Sequence, residues 1–154
     1  MCVKDAILSS AVGAIGLLAA AAVLDEKANA VPWVIHVLRN SNIKECYACI
    51  RNLAMDENNV ETFIAQGGIE VILSKLKENM HEADTVANCL DALASLSEND
   101  EAAKRITDSG GIDTCKDWLK NHLEDSTSRH ASAALALLGN LGILEENLAH
   151  MADR

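Results

Sequence analysis

Aromatic residues are nearly missing from this chain, at 3% of 154 residues. Any core must therefore be built from Ala, Leu, Ile and Val, which dominate a hydrophobic fraction of 49%. One proline and eight glycines leave little turn chemistry for a strand-rich protein. Basic charge is also scarce, with 13 Lys and Arg against 23 Asp and Glu, a formal charge of −10. That balance argues against nucleic-acid binding, which needs a Lys/Arg patch facing the phosphates. It serves solubility first, and after that it suits a basic partner. Cysteine is too sparse for a disulfide scaffold, and its count is odd: Cys2, Cys46, Cys49, Cys89 and Cys115. Reduced thiols in the cytosol or nucleus are the expectation. The absence of any Asn-x-Ser/Thr acceptor agrees.

What is present is a long supply of helix formers, Ala, Leu, Glu and Lys, between widely spaced glycines. Ala6 to Leu24 carries no charge over 19 residues, close to the roughly 20 of a membrane span. Ala28-Asn29-Ala30 resembles a signal-peptidase site. However, Asp5 weakens the basic flank such a signal needs, and Asp25, Glu26 and Lys27 charge the region before the cleavage point. Alanine supplies seven of its 19 residues, with two Ser and two Gly, so its transfer energy is modest. A buried helix is the expectation, with no membrane anchoring.

A repeat organises the rest. Gln66-Gly67-Gly68-Ile69 returns 43 residues later as Ser109-Gly110-Gly111-Ile112. The same offset lays Ile43 on Val86, Cys46 on Cys89, Ile50 on Leu93, Leu53 on Leu96 and Leu76 on Leu119. About 45 residues further on, Ala134, Leu138 and Leu141 occupy the columns of Cys89, Leu93 and Leu96. Upstream, Val31, Val34, Ile35 and Leu38 match Ile69, Ile72, Leu73 and Leu76 at an offset of 38, without the Gly-Gly pair. Within each copy the apolar positions recur at three and four residues, a helical period. One copy reads as a short helix closed at Gly-Gly, a middle helix over Ile69 to about Asn79, and a longer third helix over about Ala83 to Leu96. No single copy could bury its own apolar faces, but stacked copies could.

The segments ETFIAQGGIEVILSKL, VANCLDALASLSEND, AAKRITDSGGIDTCKDWL and ASAALALLGNLG resemble the armadillo repeat over about Pro32 to Met151. Gly-Gly-Ile between first and second helices, and the Asn-Leu pairs 52–53 and 140–141, favour that family over HEAT units of similar period. The resemblance implies an all-α, right-handed solenoid of about three repeats flanked by partial ones. It would be a single domain over 1–154, with a partial N-terminal repeat at 1–28 and units at 29–66, 67–109 and 110–154. Both ends fall out of phase with the repeat: the chain opens on a third-type helix (about Lys4 to Leu24) and closes on a first-type helix (about Glu145 to Ala152). It therefore reads as a segment of a longer stack, the alternative being that another subunit covers its ends. Val12, Leu17 and Val23 make the opening helix apolar nearly all round, so self-association through residues 4–24, or a preceding repeat that covers them, is expected.

Chemistry finds little footing. Cys46-x-x-Cys49 is the only metal-like spacing, no second ligand pair accompanies it, and Cys46 shares a column with Cys89, as core fillers would. The five histidines are scattered. Gly13-Ala14-Ile15-Gly16 lacks the lysine and preceding strand of a phosphate loop. Trp33 and Trp118, on second helices, read as packing residues. We expect no catalytic, cofactor or metal site. Armadillo proteins bind extended peptides along their third helices, and the resemblance places three columns there. These are Asn52, Ser95 and Asn140; four residues earlier, Ala48, Asp91 and Ala136; and seven earlier, Glu45, Asn88 and Ala133. The tryptophans that importin-α presents in the middle column are Ala, Asp and Ala here, and the basic groove lysines of β-catenin are missing too. Asn52 and Asn140 suit either the backbone of a bound chain or that of the neighbouring repeat. The expected function is a scaffold or adaptor for a protein or peptide; an assembly factor or chaperone cofactor is the alternative.

Overall fold

The computed structural model describes residues 30–122 and 129–142. These form eight α-helices and no strand. In order they are α1 (Val31–Asn40), α2 (Lys44–Leu53), α3 (Glu57–Ala65), α4 (Gly68–Glu78), α5 (Ala83–Leu96), α6 (Asp100–Asp108), α7 (Gly111–His122) and α8 (Arg129–Gly142). The expected N-terminal helix with Val12, Leu17 and Val23, the closing helix and Cys2 lie outside the described residues.

Local signals explain the boundaries. Pro32 sits at the start of α1, where its missing N–H is not needed. The Asp56 side chain caps α3 by accepting from Asn58 N at 2.9 Å, and Asn99 caps α6 by accepting from Ala102 N at 3.1 Å. The Gly-Gly pairs then turn each first helix into a second, and the two glycines do different work. Gly67 and Gly110 take φ of 68° and 81°, the left-handed backbone that closes a helix. Gly68 sits in a tight approach instead. A Cβ there would stand 2.7 Å from Phe63 Cδ1 and 2.9 Å from Ile35 Cδ1. Gly111 is crowded likewise, by Ile106.

Packing follows the repeat. Helices matching across copies touch: α1 with α4, α3 with α6, α2 with α5, and α5 with α8. The last is the most extensive helix pair described. One contiguous core results, with Ile50, Phe63, Ile69, Ile72, Leu90, Leu93 and Ile106 all fully buried. Leu90 and Leu93 thus lie inside, as the apolar columns require. Polar contacts also cross between copies. Arg39, at the end of α1, donates from Nη2 to Gln66 O at 2.9 Å, just before Gly67. Lys77 occupies the column of Arg39, and its Nζ comes within 4.0 Å of the Cβ position on Gly110, one copy on. Glu70 on α4 pairs with Arg105 on α6. The second helices α1 and α4 therefore each reach the Gly-Gly turn of the next copy.

Two expectations need correcting. Trp33 does not pack inside: it is 66% exposed, beside a cavity of about 270 Å3 shared with Pro32 and His36. Its neighbours Val31, Val34, Ile35 and Leu38 take the core-facing positions of α1, and Trp33 falls between them on the outer side. Ala133 is only 4% exposed, so it leaves the groove column. It faces inward beside Ala134, Leu137 and Leu141, the inner stripe of α8. Trp118 is buried as expected.

Candidate functional site

Among the described residues, the row formed by α2, α5 and α8 brings three copies together through like helices. Their buried stripes point into the core, leaving a face of small and polar residues. On α2 this face holds Glu45, Ala48 and Asn52, of which Asn52 is exposed and the others half-buried. On α5 it holds Asn88, Asp91 and Ser95, all half-buried. On α8 it holds Ala136, exposed, and Asn140, half-buried. The structure brings these residues onto adjoining helices, but it does not leave them equally available.

Several are already engaged. Arg51 Nη1 lies 3.2 Å from Asp91 Oδ2, tying α2 to α5. Ser95 Oγ donates back to Asp91 O at 3.1 Å. Asn140 Nδ2 donates to Ala94 O and to Ser97 Oγ, each at 3.0 Å, tying α8 to α5. Of its two sequence readings, Asn140 takes the bond to the neighbouring copy. Asn52 makes no comparable bridge and presents its amide outward. At the N-terminal ends of α2 and α5 a polar chain runs from Tyr47 OH to Asn42 Oδ1 (2.9 Å) and from Asn42 Nδ2 to Thr85 Oγ1 (3.2 Å). Column reasoning missed the Arg51–Asp91 pair because its members are 40 residues apart, off the repeat offset. The surface that stays open is narrow: Ala48, Asn52 and Ala136, flanked by Glu45 and the Arg51–Asp91 pair.

The chemistry this row can do is recognition through amides, small side chains and carboxylates. Catalytic or metal chemistry finds no constellation in it. Among the described residues no group of three or more His, Cys, Asp or Glu is placed to hold a metal ion. Cys46, Cys49, Cys89 and Cys115 are buried. Burial is the main cause that pushes the thiols of Cys46 and Cys115 up to about 12 and that of Cys89 up to about 11. Cys49 is raised for the same reason. Protonated, enclosed thiols are poor nucleophiles and poor ligands. No described helix is long and apolar enough to cross a membrane. No protein-family model, curated protein or solved structure matches the chain.

Proposed function

We propose that the chain is an armadillo-type α-solenoid segment that holds a polypeptide along its row of third helices, as a non-enzymatic scaffold or adaptor. The observation that carries this reading is the ordered contact of α2 with α5 and of α5 with α8, which sets three matching faces side by side. Those faces are lined by residues with no steric bulk, Ala48 and Ala136, and by an outward amide at Asn52. An extended chain laid across such helices meets side-chain amides able to pair its backbone groups. Glu45, in a chain of formal charge −10, favours a basic ligand. The enclosed thiols suit a reducing compartment, the cytosol or nucleus.

The test is a photo-crosslinking amino acid placed at Ala48, at Ala136, or at Glu61 on the opposite side in α3, followed by exposure to native extract. Capture of a common polypeptide from Ala48 and Ala136, and none from Glu61, is expected, weakening as salt rises. Equal capture from all three positions contradicts the reading. Stimulated nucleotide release from an Hsp70-type ATPase, with no groove capture, would favour the chaperone-cofactor alternative.

A further inference from the structure

The third-type helices do not keep one step between copies. By their apolar columns α5 and α8 lie 45 residues apart, which sets Leu135 under Leu90 of α5 and Tyr47 of α2. Burial follows a different step. The buried residues of α8 are Ala131, Ala133, Ala134, Leu137 and Leu141, and 44 residues before them stand Ala87, Cys89, Leu90, Leu93 and Ser97, all buried. A step of 45 would lay the buried Ala133 on the half-buried Asn88. At 44 Leu138 also matches Ala94, each partly buried. The packed helix is thus one residue out of step with its apolar columns.

That step puts Leu135 into the groove. Ser132, Leu135 and Gly139 fall on Asn88, Asp91 and Ser95, so Leu135 takes the middle column after Ala48 and Asp91. Ser132 and Gly139 lie three or four residues from both Leu135 and Ala136, which are therefore the two flanks of one exposed face. Three large apolar side chains are exposed among the described residues: Trp33 on α1, Met55 in the turn after α2, and Leu135, at 61%. Leu135 is the one of them that stands on a helix of the row. Charge changes along the same row. Glu45 lies on α2, Asp91 on α5 is paired with Arg51, and α8 carries no charged residue from Ala131 to Gly142.

We infer that Leu135 is a specificity-determining residue of the groove: it receives an aliphatic side chain of the bound polypeptide, while Glu45, two helices away, receives a basic one. This rests on the groove binding proposed above and names the ligand's chemistry. An aliphatic side chain laid on Leu135 takes apolar surface of both partners out of water. A ligand that meets a carboxylate, a neutralised pair and then an apolar helix cannot exchange its ends, so its direction is fixed. Helix packing sets the spacing. Axes about 8–10 Å apart put α2 and α8 roughly 16–20 Å apart. An extended chain covers that in about five or six residues. Side chains an even number of residues apart share one face of such a chain, so the even step, about six, fits.

Fluorescence anisotropy with labelled synthetic peptides and the whole chain tests it. Each probe carries one lysine and one leucine about six residues apart, in either order, in a glycine–serine background. Companion probes replace the leucine by serine or move it by one residue. One order should bind more tightly than the other, and should lose at least about tenfold in affinity with either companion change. Leu135→Ser should weaken the leucine probe at least about tenfold and leave the serine probe unchanged. Its melting temperature should not move, because the residue is exposed. Glu45→Gln should weaken both probes alike. Loss with Glu45→Gln but none with Leu135→Ser overturns the inference and leaves groove binding standing. So does equal weakening of both probes by Leu135→Ser. Indifference to both substitutions, or no binding up to about 1 mM, overturns groove binding as well.

Discussion

Arg51 and Asp91 form an ion pair across two copies of the repeat, Nη1 to Oδ2 at 3.2 Å, on the outer side of the helix row that buries Leu90 and Leu93. The half-buried polar face and the core therefore sit on opposite sides of the same two turns of α5.

That relationship sets the first prediction. The pair's side chains are 41% and 22% exposed, so solvent screens it and Asp91→Ala should cost only about 0.2–1 kcal/mol, less at high salt. Leu93→Ala should cost roughly 2–5 kcal/mol, because it opens a cavity in a closed core. Urea unfolding of both variants decides it. Equal losses would mean that α5 is rotated from the register described.

The paired glycines should fail for different reasons. Gly67→Ala places a Cβ on left-handed backbone, at a cost of about 1–2 kcal/mol. Gly68→Ala drives one into Phe63 and Ile35, at about 1–3 kcal/mol. Ile35→Val removes the Cδ1 in that clash, so it should partly restore Gly68→Ala but not Gly67→Ala in a double-mutant cycle. Equal rescue of both would contradict the close approach.

Much of this was legible beforehand, and particular residues show why. The Gly-Gly turns and the apolar columns located the helices because both follow from local backbone preference and period: the third helix expected at Ala83 to about Leu96 is α5, Ala83–Leu96. The groove columns were only half legible. Position in a repeat says which side of a helix a residue occupies, but not which neighbour its side chain meets. Asn52 and Asn140 look alike in sequence, yet one faces outward and the other is bonded to α5. The exposure of Leu135 was invisible for a related reason. Its sequence is that of a core position, yet it is 61% exposed in α8 where its column mates Tyr47 and Leu90 are buried.

The two asparagines should separate in the same way. Asn140→Ala removes the hydrogen bonds to Ala94 of α5 and to Ser97 just past its end, so we expect a loss of about 1–3 kcal/mol. Asn52→Ala should change stability by less than about 0.5 kcal/mol while weakening ligand capture. Thermal melts read the first effect and binding the second. A destabilised Asn52→Ala would place that amide in the framework as well.

Raised thiol values make stability depend on alkaline pH. In the folded chain Cys46, Cys89 and Cys115 keep their protons up to about 11 or 12, against 9.0 for an ordinary thiol. Their stabilising contribution is complete below pH 9.0 and is lost as pH rises from there through 11 to 12, where only the unfolded chain readily ionises. The melting temperature should hold steady from about pH 6 to 8 and fall above about 9. Chelators should leave it unchanged at any of these values. A drop with EDTA would show that a metal holds the cysteines after all.

We propose that a polypeptide lies across the row of α2, α5 and α8. Amide chemical-shift mapping on the labelled chain, titrated with the polypeptide captured at Ala48, tests it most directly. Perturbations confined to the outward positions of those helices, Glu45, Ala48, Asn52, Asn88, Asp91, Ser95, Leu135 and Ala136, are the predicted result. Shifts clustered instead on α3 and α6, with those positions silent, would contradict it.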